Sequence, residues 1–262
     1  MKDFKKKENP VEQPDIFTEG SIEGRNVVYE ALRAERSIDK IFIQDGEREG
    51  SLQRIAALAK DKGIVLIPTD RKKLNEMSQT GAHQGVIAMC AAKEYVSVDE
   101  ILELARNAGE DPFLILCDEI YDPHNLGAII RTAVAAGAHG IIIPKRRNVG
   151  LTPVVYKASA GMTQHISVAK VVNIAAEIDR LKAAGLWIYG ADANGEKNYY
   201  ESDFSGPVAL VIGSEGQGLS RLIKEKCDFL VKIPMNEKVA SLNASVAGAI
   251  MMYEILRQRN GK

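Results

Sequence analysis

The stretch PVALVIGSEGQGLS, residues 207–220, and the later stretch FLVKIPMNEKVASLNASVAGAI, residues 229–250, decide the reading of this chain. An apolar, β-branched run at 208–212 empties into a glycine-rich turn at 213–218. A second run, 229–233, breaks at Pro234, and a loop leads to Ser241, Leu242 and Asn243 at the start of an apolar final helix. Two strand ends and a helix start thus bring backbone donors and small residues close together. An α/β chain wraps a flat, polar small molecule in this way.

Working outward, further continuous apolar runs lie at 113–117, 139–143 and 186–189. Such runs suit strands covered on both faces, which predicts a mainly parallel sheet flanked by helices at 123–136, 171–184 and 240–258. Residues 112–262 therefore read as one α/β domain. In front of it, helices at 24–33, 52–62 and 71–77 alternate with strands at 38–43, 64–67 and 85–90, predicting a small α/β domain over residues 18–92. Residues 93–111 read as a linker and a helix, and residues 1–17, charged and without periodicity, as a disordered tail.

The bulk composition excludes several classes. With 45% hydrophobic residues in 262, the chain has ample material for buried cores. No apolar run approaches the ~20 residues that span a bilayer, and the amino terminus lacks a signal-peptide core. Cys90, Cys117 and Cys227 are an odd, widely spaced set in apolar contexts, which reads as free thiols in the cytoplasm. No Cys or His pair has metal-ligand spacing, so no metal is expected. The formal charge of −1 is not that of a dedicated nucleic-acid binder, so an RNA footprint would be a local patch.

Several residues have chemistry to offer. The glycines of the 213–218 turn run G-x-x-G-x-G, unlike the dinucleotide fingerprint, and no Gly-Lys-Ser/Thr follows for a phosphate loop. Glu215 inside the turn would repel a pyrophosphate but suits a ligand with a positive centre or donor hydroxyls; an ordinary turn with a solvated glutamate fits the motif as well. Asp122 and Pro123 read as an N-cap and first helical position. Asn125 then falls in the first turn, and Arg131 lies one turn beyond the small residues Gly127 and Ala128. Arg131 could grip phosphate or be a surface arginine. Lys145, Arg146 and Arg147 follow a strand at the sheet's carboxyl edge, where they would meet RNA phosphate or plain solvent. Ser241 reads as the N-cap of the last helix, with Asn243 and Ser245 in its first turn. Ala244 and Gly248 make one small face there, and Leu242, Val246, Ala249, Ile250 and Tyr253 an apolar stripe of the kind that usually packs in a core.

Three segments together, DEIYDPHNLGAIIRTA (118–133), LVIGSEGQGL (210–219) and IPM (233–235) through SLNASVA (241–247), resemble the SpoU (TrmH-like) family of RNA ribose 2'-O-methyltransferases, of the SPOUT class. The resemblance covers about residues 112–260, and more weakly the front of the chain. It implies a trefoil knot, which periodicity cannot supply because knotted chains are rare. It implies S-adenosylmethionine as cofactor, with contacts from Gly213, Ile233 and Leu242 and support from Gly190, Ala191, Asp192, Glu215, Gly218, Met235, Ser241 and Asn243. It implies catalytic roles for Asn125, Arg131, Glu215 and Asn243, and a homodimer built around the last helix, for which the small face would serve. Arg25 and Asn26, with the His83-Gln84-Gly85 turn, match the family's RNA-binding front domain, though a purely structural helix start and turn fit them too.

The fuller match is to members that methylate a guanosine ribose in bacterial 23S ribosomal RNA, with the D-loop guanosine of transfer RNA as the alternative substrate. A non-catalytic RNA-binding relative would keep the fold and lose several of the four catalytic positions, all of which are present. A nicotinamide dehydrogenase would need G-x-G-x-x-G after a first strand, and none exists.

Overall fold

The structure, a computed structural model, describes residues 20–46, 50–214 and 216–261. The tail expected at 1–17 and the proposed functional residue Glu215 lie outside the described residues.

The front of the chain folds as β1 (Ser21–Glu23), α1 (Arg25–Arg33), β2 (Ile38–Gln44), α2 (Ser51–Asp61), β3 (Val65–Thr69), α3 (Arg71–Met77) and β4 (Val86–Cys90). Its four strands form a mixed sheet in the order β1-β4-β2-β3. Val28, Ala31 and Leu32 of α1 and Ile55 of α2 bury against Ile41 and Ile43 of β2.

After α4 (Val98–Ala108), started by a Ser97–Glu100 capping box, come β5 (Phe113–Asp118), α5 (Pro123–Ala135), β6 (Gly140–Pro144), α6 (Pro153–Ala158), β7 (Ser167–Val171) and α7 (Ile174–Ala183). The chain then runs through β8 (Trp187–Ala191), β9 (Lys197–Asn198), β10 (Val208–Gly213), α8 (Arg221–Lys226), β11 (Phe229–Lys232) and α9 (Ala244–Asn260). These seven strands form a second sheet, β7-β6-β5-β10-β8-β11-β9, in which every pairing is parallel. The central pair β5 and β10 is buried along its whole length, as continuous apolar runs require.

Three expectations change. Residues 167–171 form a strand, so α7 starts at Ile174 and not at 171; the Asn173 side chain accepts from the N–H groups of Ala175 and Ala176 and sets that start. The cap of α9 is Asn243, not Ser241. The stripe expected to be core is also different, since Val246 is 47% and Tyr253 52% exposed, while Ala244 and Gly248 face inward. A Cβ on Gly248 would meet Ile212 of β10, so this small face packs within the chain and is not a dimer contact.

The three cysteines are free, and burial pushes their thiols up, to about 11 at Cys90 and about 12 at Cys117 and Cys227. They are poor nucleophiles at neutral pH. No helix among the described residues is long and apolar enough to cross a membrane.

Side chains tie the two sheets' halves together. Lys157 donates to Thr80 Oγ1 and to the Ala82 carbonyl, and His165 pairs with Glu30 at 2.9 Å. Lys93 donates to the carbonyls of Thr163 and of Ile166, the latter at 2.9 Å. Burial, with Arg36 nearby, lowers the Lys93 ammonium to about 8. The charged form is thus disfavoured by folding, a cost present in full below pH 8. Between about 8 and the ordinary lysine value the unfolded chain holds more protons, so stability rises with pH. We expect Lys93→Met to abolish a rise of about 2 kcal/mol between pH 8 and 10.5. Urea midpoints of the two proteins across that range check this, and parallel curves would contradict it.

Candidate active site

The strand order places a crevice at the carboxyl edge of the second sheet. From β5 the chain steps outward through β6 and β7, then crosses to β8, and β10 later enters between β5 and β8. Ligands of open α/β sheets bind outside the carboxyl ends at such reversals.

β10 leaves the sheet at Gly213, and the turn behind it closes on itself. Ser214 N–H donates to the Gly218 carbonyl at 3.1 Å and Gly218 N–H to that of Ser214 at 2.9 Å. Gly218 holds φ +64°, and a Cβ on Gly213 would run into the backbone of Gly218 and Leu219. Asp118, at the end of β5, accepts from Ser220 N–H at 3.0 Å and anchors the far side of the turn.

Beneath the turn lies a cavity of about 230 Å³. Of the expected cofactor residues, Ala191, Asp192, Gly213, Gly218, Ile233, Met235, Ser241 and Leu242 line it. Gly190 and Asn243 do not; a Cβ on Gly190 would meet Leu219, Leu230 and Cys227, so it is a packing glycine. Ile212, Ala247 and Met251 give the cavity an apolar wall, which periodicity could not assign because it needs β10 and α9 to be neighbours. Asp192 is neutralised by Lys224 at 2.6 Å and accepts from Asn194 N–H at 2.8 Å. Lys224 also lines the cavity, and no motif marked it.

Two helix starts meet beside the cavity. The Asp122 side chain caps α5 through His124 N–H, which puts Asn125 in the first turn, almost wholly buried. Asn243 caps α9, accepting from Ser245 N–H at 2.9 Å, Val246 N–H at 3.3 Å and Ser245 Oγ at 2.6 Å. Its amide nitrogen donates to Asn125 Oδ1 at 3.0 Å. Asn125 and Asn243, 118 positions apart, are therefore one unit. Asn125 also opens onto a groove that shares Ser214, Gly216 and Gln217 with the cavity.

Arg131 is elsewhere. Six residues on from Asn125 along α5, it lies about 9 Å further up the axis and roughly 120° around it. It is exposed and makes no hydrogen bond or ion pair among the described residues. Instead it lines a groove between the two halves together with Arg25, Asn26, Tyr29 and Arg54. Arg25 is partly committed, donating to the Gln84 carbonyl at 2.9 Å and to Ser51 Oγ at 3.3 Å. His83 accepts from Gly85 N–H and pairs with Asn75, a turn-building role, and burial lowers its pKa. Lys145, Arg146 and Arg147 are exposed at the end of β6, where Arg147 pairs with Glu119 at 3.2 Å. No group of His, Cys, Asp and Glu among the described residues could hold a metal ion.

Comparison with known families fits this geometry. The model of the SpoU rRNA methylase family matches residues 112–253, and that of RNA 2'-O ribose methyltransferase substrate binding matches residues 21–96. The chain belongs to the SpoU rRNA methylase family. This SpoU member is 50% identical, over 90% of its length and 95% of the relative's, to a Bacillus subtilis (strain 168) protein named as a TrmH family tRNA/rRNA methyltransferase, YacO. Among solved structures it is similar to the SpoU methyltransferase AviRb of Streptomyces viridochromogenes in complex with AdoMet. The TM-score there is 0.78 at 26% identity, covering 92% of this chain and 90% of that one. It is also similar to an AdoMet-bound rRNA methyltransferase from Sinorhizobium meliloti, with TM-score 0.73 and 26% identity over 91% and 87% of the two chains. This family member is thus an RNA methyltransferase with the SPOUT α/β architecture.

Proposed function

We propose that the chain transfers a methyl group from S-adenosylmethionine to the ribose 2'-hydroxyl of a guanosine in 23S ribosomal RNA. The observation that carries the reading is the Asn125–Asn243 hydrogen bond, which ties a groove residue to the helix start whose Leu242 and Ala244 line the cavity.

The cavity suits the cofactor. Ile212, Ile233, Ala247 and Met251 give it an apolar wall, and its one lysine among the described residues, Lys224, is already paired with Asp192, so no free cation there invites a pyrophosphate. Gly213, Gly218, Ile233, Met235, Ser241 and Leu242 would hold the adenosyl and methionyl parts, with Ala191 and Asp192 at the far end. S-adenosylmethionine, when bound, supplies a methyl group already activated by a sulfonium. The protein's remaining task is alignment and removal of the hydroxyl proton. Asn125 and Asn243, each fixed by the other, orient the ribose. Glu215, which the family resemblance marks as catalytic, would help to orient these groups.

A guanidinium is a donor-only group, so Arg131 is not assigned as the general base. We assign it to the phosphate 3' of the target and to the oxyanion that develops on the ribose. Its place on α5, away from Asn125, supports its acting in the site of a second copy. α5 packs against α9, whose outer face exposes Val246 and Tyr253. A homodimer through this face, with the chain threaded as a trefoil knot, completes the proposal. Arg25, Asn26, Lys145, Arg146 and Arg147 would steady RNA around it.

The test is methylation in vitro of ribosomal and transfer RNA from a strain lacking the protein, with the modified nucleotide mapped. Incorporation at one guanosine ribose of 23S RNA is the expected result. Incorporation into transfer RNA would move the substrate, and none into either would overturn the reading.

A further inference from the structure

The groove beside the cofactor cavity is lined by Glu119, Tyr121, Asp122, Asn125, Ser214 and Gln217. Asn125 lines this groove, so a ribose presented to it would bring its base to the groove. Two of the polar side chains are already committed: Asp122 caps α5, and Asn125 holds Asn243. Tyr121 is 58% exposed, which leaves an aromatic ring at the groove free to stack. Unstacked RNA bases are read by such rings together with hydrogen bonds to the Watson–Crick edge.

Glu119 supplies the second part. Its Oε1 accepts from Arg147 Nη1 at 3.2 Å, and its other oxygen makes no hydrogen bond among the described residues. Both partners hold φ near +60°, an uncommon conformation for side chains of this kind. Arg147 lies outside that groove, in the neighbouring pocket, and holds Glu119 so that its carboxylate offers acceptor oxygens to the groove. Guanine's Watson–Crick edge, with its N1–H and N2–H donors side by side, is the complement of a carboxylate. Adenine would set its N1 acceptor against the carboxylate, and uracil a carbonyl.

We infer that Glu119, held by Arg147, selects guanine as the target base while Tyr121 stacks on it. This rests on the 2'-O-methyltransferase reading and gives that site its base specificity. Glu119 is a specificity residue here and Arg147 a positioning residue that acts through it; neither touches the reacting atoms.

The experiment compares short RNAs carrying guanosine, inosine or adenosine at the mapped position, with kcat/KM measured for the wild type, Glu119→Gln, Glu119→Asp and Tyr121→Ala. The wild type should prefer guanosine to inosine, which lacks the N2 amine, and inosine to adenosine. Glu119→Gln exchanges one acceptor for a donor and should cut the guanosine-over-adenosine ratio by roughly 5- to 150-fold. Glu119→Asp should recover part of it. Tyr121→Ala should lower kcat/KM for all three RNAs and leave the ratio in place. Calorimetry with S-adenosylmethionine should show the same affinity in every variant. A guanosine preference unchanged in Glu119→Gln, or a mapped nucleoside other than guanosine, would overturn the inference and leave the methyltransferase reading standing. Failure of the wild type to methylate any RNA would overturn both.

Discussion

Arg131→Ala should lose about 10²- to 10³-fold in kcat, the usual loss when one group stabilising a developing oxyanion is removed, while its affinity for S-adenosylmethionine stays at the wild-type value. Arg131→Lys should recover little, because an ammonium cannot reproduce the planar fork of a guanidinium on phosphate. Asn125→Ala should be comparably impaired. The informative sample is the mixture. If Arg131 reaches into a second copy's site, a mixed dimer of Arg131→Ala and Asn125→Ala chains holds one complete site. Random exchange of equal amounts then makes about half the dimers mixed and restores about a quarter of wild-type sites. If Arg131 served its own chain's Asn125, mixing would restore nothing. The exposure of Arg131 without a partner among the described residues, and its bearing on α5, favour recovery. Turnover of the mixture against each parent alone decides it.

Gly213→Ala has the second large effect. The added methyl would be driven into the backbone of Gly218 and Leu219, where no flexible side chain can yield. The turn is closed by two hydrogen bonds between Ser214 and Gly218 and anchored through Ser220 to Asp118, so it cannot drift outward without losing them. Overpacking of this kind costs about 1–3 kcal/mol even in a core that can adjust, and here Gly213 and Gly218 both line the cavity proposed for the cofactor. Affinity for S-adenosylmethionine should fall by about 5- to 150-fold. Gly206→Ala, whose methyl meets nothing within 4 Å, should bind as the wild type does. Calorimetric titration of both variants measures the difference, and equal affinities would show that the turn does not form the binding wall.

How much of this was legible beforehand depended on distance along the chain. The runs at 113–117 and 208–212 are apolar throughout because β5 and β10 are covered on both faces, and they identified the middle of the sheet. The glycine turn was legible because closure around Gly213 requires the absence of a side chain. Edges were harder. β7 and the two-residue β9 lie at the two ends of the sheet, where one-sided burial leaves short, mixed runs that resemble loop or helix. β1, three residues long, shows itself only through its pairing with β4. Ser241 and Asn243 are both good capping residues two positions apart, and local pattern could not choose between them; the bond from Asn243 to Asn125, across 118 positions, does.

The final helix was misread for a related reason. α9 carries apolar residues around most of its circumference, so several stripes can be drawn on it, and Met251, Met252 and Ile255 rather than Val246 and Tyr253 are the ones that face inward. Arg131 is the sharpest case. The family resemblance grouped it with Asn125 and Asn243, whereas the turn of α5 carries it to the groove it shares with Arg25, Asn26 and Arg54. Residues that share a motif need not share one chain's site.

A crystal structure of the protein grown with S-adenosylmethionine tests the central claim most directly. We predict density for the cofactor between the 213–218 turn, Ile233 to Met235 and Ser241 to Leu242, with its methyl directed toward Asn125. Density for the cofactor at any other place, with this cavity empty at saturating concentration, would contradict it.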